Sequence, residues 1–192
     1  MHNNYHFFKR LVPELNEQLT GLQLLECFSQ QKDELILGFA DSEREFFIKA
    51  DLKQSFTCLS FPHDFSRARK NSVDLFQDLK GEEVKEVKLY LNERCFSFNF
   101  DTQVLLFKMY GNRSNIILFN EGIATEMFKN RMEKDLELKL EEVDREIDQS
   151  FEAFEKSDGN LKQLFPTLGK LGMQYLKEKV PNPENLRSDG RG

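Results

Sequence analysis

Val104-Leu105-Leu106-Phe107-Lys108-Met109-Tyr110-Gly111-Asn112-Arg113-Ser114-Asn115-Ile116-Ile117-Leu118-Phe119 sets two apolar runs on either side of one short polar turn. Aromatic and β-branched residues suit a pleated, buried surface, and Gly and Asn accept the positive φ of tight turns. The stretch therefore reads as a β-hairpin with Gly111 at a positive φ. Arg113 sits at its tip, either as a solvated turn charge or as a contact for phosphate.

Working outward, strand-like runs at about 83–91, 94–100 and 123–128 flank the hairpin, and others precede it at about 23–29, 34–40, 45–50 and 56–61. Short polar connections such as Gln30-Gln31-Lys32-Asp33 make the sheet antiparallel. Tyr5, Phe8, Leu11 or Val12, Leu15, Leu19 and Leu22 recur at helical spacing, so an amphipathic helix opens the chain, capped by Asn3 or Asn4 and stopped at Gly21. Pro13 lies inside that pattern and predicts a kink or a break into two pieces. The fold class is α+β, an antiparallel β-sandwich with flanking helices.

Two further helices are expected. One starts at Ser72, buries Val73, Leu75, Phe76 and Leu79, and ends at Gly81. Arg67, Arg69 and Lys70 crowd its entrance, either as solvated loop charges or as a phosphate site assisted by the helix's first amides. The other expected helix is long and acidic, carrying Leu136, Leu140, Val143, Ile147, Phe151 and Phe154 on one stripe. From Glu133 to Asp158, eleven acidic residues face four basic ones, so this stretch alone outweighs the whole chain's net charge of −6. The remainder is nearly neutral, and a local basic patch there is compatible with nucleic acid.

The C-terminal part, Asn160-Leu161-Lys162-Gln163 and then Met173-Gln174-Tyr175-Leu176 across a Gly169/Gly172 link, resembles a helix-hairpin-helix. The expected divisions are 1–129 for the main domain, 130–156 for the acidic helix, 157–180 for the hairpin-like segment and 181–192 for a linker or tail. The chain reads as the N-terminal portion of a longer protein.

Several classes of function find no support. The 192 residues contain no apolar run of the ~20 needed to span a bilayer, and the N-terminus lacks a basic start and apolar core for export, so the expected location is cytoplasmic. Cys27, Cys58 and Cys95 are odd in number and embedded in apolar runs, which suits buried hydrophobes in a reduced compartment. His2 and His6 could share a helix face, yet lack further ligands, as does His63, so no metal or other cofactor is expected. Phosphate loop and nucleophile elbow are absent, and no enzyme is expected.

The run Leu106 to Leu118 resembles the Gly-x-x-Ser-Asn-Ile-Ile-Leu signature of the N-terminal domain of the NFACT family, the ribosome quality-control proteins often labelled fibronectin-binding protein A. Leu15-Asn16-Glu17-Gln18-Leu19-Thr20-Gly21, Asp33-Glu34-Leu35-Ile36-Leu37 and Asp78-Leu79-Lys80-Gly81 support it, and it extends over residues 5–128. The resemblance implies a fold similar to the N-terminal domain of formamidopyrimidine DNA glycosylases. That enzyme's N-terminal proline nucleophile has no counterpart, since His2 follows Met1, so no DNA partner is expected.

It implies as partners the large ribosomal subunit with a stalled peptidyl-tRNA, and tRNA recruited for template-free tailing of the nascent chain. A family Asp-Arg pair that contacts the tRNA anticodon falls by position on Glu93-Arg94, with Glu in place of Asp. RNA phosphate contacts are expected from Arg67, Arg69, Lys70 and Arg113. The rival readings are a fibronectin-binding surface adhesin, which wants a route out of the cell and exposed repeats, and a noncatalytic scaffold whose acidic helix docks a partner.

Overall fold

The hairpin that anchors the sequence is the centre of a sheet buried on both faces. Strands β8 (Gln103–Lys108) and β9 (Asn115–Asn120) pair antiparallel, with Leu105 opposite Leu118 and Phe107 opposite Ile116. Leu105, Phe107, Ile116 and Leu118 enter the main core, while Leu106, Ile117 and Phe119 enter a second cluster on the other face. Burial on both sides explains why Ile116 to Phe119 reads as continuous apolar sequence rather than alternation. The structure is a computed structural model that describes residues 4–179.

Around the hairpin, β6 (Glu86–Leu89), β7 (Cys95–Asn99) and β10 (Ile123–Met127) complete a five-stranded antiparallel sheet of order β10-β9-β8-β7-β6. The other sheet has order β4-β3-β2-β1-β5, from β1 (Gln23–Ser29), β2 (Glu34–Ala40), β3 (Glu45–Lys53), β4 (Phe56–Ser60) and the two-residue β5 (Val73–Asp74). Leu35, Leu37, Phe39 and Ile48 of this first sheet meet Phe96, Phe98 and Phe107 of the second in one shared core. Phe39 and Phe98 pack edge to face, with ring centroids 5.6 Å apart.

Helix α1 (Tyr5–Leu19) buries Phe8, Val12, Leu15 and Leu19 in that core, and the Asn4 side chain caps its start. It runs unbroken through Pro13, contrary to the expected division. Pro13 and Lys9 both face solvent, so water can satisfy the carbonyl that the missing N–H abandons. Asn16 Oδ1 accepts the Val87 N–H at 2.7 Å, so the helix covers edge strand β6.

The helix expected from Ser72 is absent. Val73 and Asp74 pair instead with Ser29 and Phe28, leaving Val73 63% exposed, and only Gln77–Leu79 makes a 3-10 turn. Asn71 and Phe76 adopt left-handed φ of 62° and 50°, which a continuous α-helix forbids. Phe76 and Leu79 are nonetheless buried, delivered from an irregular segment.

The long acidic helix is likewise not formed. Residues 131–148 run as a strap across the outer face of the second sheet, with 3-10 turns at Glu133–Glu137 and Leu140–Glu142, and helix begins only at α2 (Phe151–Lys156). Leu138, Leu140 and Val143 pack on the outer cluster, and Lys139 bridges to Ile123. Asp135 ion-pairs with Lys108, and Asp144 accepts Leu91 N–H at 2.7 Å and binds Lys88 at 2.9 Å. These cross-links to the sheet, together with the alternation Leu136-Glu137-Leu138-Lys139-Leu140, outcompete the helical reading of the same leucines. Short helices α3 (Leu161–Leu164) and α4 (Gly169–Lys179) end the described chain, α4 starting before the position its sequence pattern predicts.

Candidate functional site

The turn between β6 and β7 carries Glu93 and Arg94, held open by Asn92 at φ 54°. The register of the second sheet sets this turn beside Tyr110, which follows β8, and Met109 N–H donates to Arg94 O at 2.9 Å. Tyr110 Oη donates to Glu93 Oε2 at 2.5 Å, and Arg145 Nε lies 2.7 Å from Glu93 Oε1. Both oxygens of the Glu93 carboxylate are thus engaged. The Arg94 guanidinium lies over the Tyr110 ring, 5.4 Å from its centroid, and Lys108 Nζ lies 5.8 Å from the same ring.

Beside these groups, under the strap, runs a cleft of about 430 Å³ whose lining includes Glu93, Tyr110, Arg113, Lys139 and Arg145. Lys139 is paired with Glu142 at 3.0 Å. Among the described residues, Arg94 and Arg113 form no ion pair. Burial, reinforced by neighbouring Cys95 and Glu93, pushes the Tyr110 hydroxyl far above its ordinary value, so it stays a proton donor. Burial likewise pushes the Cys95 thiol up to about 12, so no thiolate is available near neutrality. The cleft can hold an anion or a flat ring against cations, and it lacks an activated nucleophile.

The structure brings Glu93, Arg94 and Arg113 to one region and sets Arg67, Arg69 and Lys70 on another. Arg67 stacks over Phe28 at 4.6 Å, on the outer face of the first sheet, and binds Asp74 at 2.7 Å and Ser72 Oγ at 2.9 Å. Arg69 and Lys70 are exposed on the same loop. With no helix starting there, the expected amide cradle does not exist.

Tyr110 and Arg145 are the groups sequence reading did not assign. Arg145 lies in the acidic stretch, 52 positions from Glu93, and only the strap's path joins them. Ser114 and Asn115 of the signature are buried and structural: Asn115 accepts Lys129 N–H at 2.8 Å and donates to Asp135 at 2.9 Å. Cys27 and Cys95 are buried, as expected of small hydrophobes, whereas Cys58 is only partly so. His6 and His63 are exposed, and His2 and the tail 181–192 lie outside the described residues. Among the described residues, no three His, Cys, Asp or Glu side chains converge on a metal position, and no helix is long and apolar enough to cross a membrane.

No protein-family model and no curated protein matches the sequence. Solved structures do match. The N-terminal part of the fibronectin/fibrinogen-binding protein of Streptococcus suis aligns with TM-score 0.67 and 18% identity over 96% of this chain and 83% of its own. The N-terminal domain of the fibronectin-binding protein PavA from Streptococcus pneumoniae gives TM-score 0.65 and 15% identity over 92% and 80%. The fibrinogen-binding protein of Staphylococcus aureus gives 0.56 and 19% over 67% of this chain. This chain spans 51% of that protein's length. The fold is that of the N-terminal domains of fibronectin/fibrinogen-binding proteins, in agreement with the resemblance carried by the Gly111–Leu118 run.

Proposed function

We propose that this domain, built on the fold shared with those N-terminal domains, is a noncatalytic RNA-binding module of a ribosome-associated quality-control factor working in the cytoplasm. In this reading it engages the stalled large ribosomal subunit and a tRNA during template-free tailing of the nascent chain, on a scaffold akin to the glycosylase N-terminal domain. The observation that carries the reading is the Arg94 guanidinium, backed by the Tyr110 ring at 5.4 Å and unmatched by a carboxylate because Glu93 is occupied by Tyr110 and Arg145.

A guanidinium so placed can stack on an unpaired base and hydrogen-bond its edge in a fixed fork, which a lysine ammonium cannot imitate. Glu93 then acts as the positioning group for the turn, and Arg113 at the cleft takes a neighbouring phosphate. Arg69 and Lys70 are further phosphate contacts, with Arg67 holding their loop.

The test is affinity purification of the tagged protein from its own cells, with bound RNA sequenced. Enrichment of large-subunit ribosomal RNA and a restricted set of tRNAs is the expected result. Arg94→Lys should melt normally yet lose tRNA selectivity nearly as fully as Arg94→Ala, while Glu93→Asp should bind at least as well as the parent. An unchanged tRNA profile for Arg94→Lys overturns base reading. A second reading follows from the matched proteins, which are described as binding fibronectin or fibrinogen. Saturable binding of purified protein to immobilised fibronectin, with no RNA recovered from cells, would favour it.

A further inference from the structure

We propose that a second groove, on the other side of the Gly111–Arg113 turn residues, binds the sugar–phosphate backbone of a single RNA strand. It has a volume of about 570 Å³ and is assembled from turns of both sheets, with Lys32, Asp33, Gln54, Asn112, Lys129 and Arg131 in its lining. Lys32 comes from the β1–β2 turn, Gln54 from the β3–β4 turn, Asn112 from the β8–β9 turn, and Lys129 and Arg131 from the chain leaving β10. Thr57 Oγ1 donates to Gly111 O at 3.4 Å, which ties the β8–β9 turn to the first sheet at this end.

The chemistry of the lining singles out a polyanion. Three cations face one carboxylate, in a chain whose net charge is −6. That carboxylate, Asp33, lies 3.6 Å from Lys129, whose ammonium also donates to Leu52 O at 2.6 Å. Lys129 is therefore a fixed wall, and Lys32 and Arg131, both exposed and forming no ion pair among the described residues, carry the unmatched charge. The exposed carboxamides of Gln54 and Asn112 add donors and acceptors suited to sugar and base edges, and Phe128 adds an apolar surface.

Asn112 lines this groove and Arg113 lines the cleft beside Arg94, so one strand crossing the turn touches both. The inference rests on the RNA-binding reading and extends it to a second contact.

The experiment measures binding of a fluorescein-labelled oligouridine of roughly ten nucleotides at several salt concentrations. It compares the parent, Lys32→Ala/Arg131→Ala, and Lys9→Ala/Arg10→Ala, which removes the same charge from the exposed face of α1. The groove variant should bind about tenfold or more weakly and lose roughly two units of salt slope, while the helix variant changes little. Equal losses in both variants, or none in the groove variant, overturn the groove while RNA binding by the parent keeps the broader reading intact. No binding by the parent overturns both. Displacement of the strand by uridine monophosphate at an equal concentration of phosphate would assign the groove to a free nucleotide and overturn the strand.

Discussion

The outer faces of the two sheets each hide an ion pair, and the two pairs are built differently. On the first sheet, Glu34 of β2, 1% exposed, meets Lys49 of the adjacent β3 at 2.6 Å, and Lys49 keeps a third of its side chain in solvent. On the second, Lys108 and Asp135 are 10% and 9% exposed, and the pair joins the sheet to a strap 27 residues further along. Asn115 closes the arrangement by donating to Asp135 and bonding Lys129 on both sides of its peptide. The first pair rides on strands already in register, whereas the second holds a segment that has no ladder of its own. The exposure of the surviving partner should therefore decide what each loss costs.

Asp135→Ala is the sharpest way to break that comparison. It strands the Lys108 ammonium beneath the strap and leaves an Asn115 N–H unpaired, so unfolding stability should fall by about 3–5 kcal/mol. Chemical denaturation measures it, and Lys108→Met combined with Asp135→Leu should recover most of the loss. A drop below ~1 kcal/mol would mean that the strap is held by its leucines alone.

Gly111→Ala supplies a reference independent of both pairs. Gly111 has φ +67°, and an added Cβ there would meet nothing within 4 Å, so the cost is purely conformational, about 1–2 kcal/mol. A melting temperature equal to the parent's would contradict the left-handed turn. Glu34→Gln follows, at no more than about 1 kcal/mol, because Lys49 can turn to water. Should Glu34→Gln cost as much as Asp135→Ala, solvent access of the partner is not what separates the two faces.

The smallest effect concerns acid. Burial alone would raise the Asp144 carboxyl, yet Lys88 and the Leu91 N–H together hold it below its ordinary 3.8. A group depressed in the folded state contributes stability above its unfolded pKa and loses it as pH falls through the folded value. The parent should therefore lose stability below about pH 4 slightly more steeply than Asp144→Asn, as read from melting temperatures across that range. Identical slopes would show that this end of the strap contributes nothing through charge.

How far sequence reading reached follows the range of the interactions. The strand runs, the helix from Tyr5 with its cap at one of the two asparagines Asn3 and Asn4, and the positive φ of Gly111 were legible because each depends on neighbours within a few positions. Around Ser72 and Leu136 the same local logic failed. Both segments carry apolar residues at helical spacing, but Val73 and Asp74 are claimed by β1, and Asp135 and Asp144 by Lys108 and Lys88. A periodic stripe says that leucines will be buried; it does not say from which backbone.

The candidate site divides along the same line. Glu93 and Arg94 were named from their place before the signature hairpin, and Arg113 from its place in the turn. That Tyr110 would back the guanidinium, and that Arg145 would return across the acidic stretch to occupy Glu93, depended on strand register and the path of the strap. By itself the sequence determined an α+β chain with antiparallel strands and a glycine-turned hairpin, because φ preferences and side-chain alternation act locally. Only the tertiary structure decided which charges are free and which are spent, because an ion pair forms between whatever groups the packed backbone brings within reach.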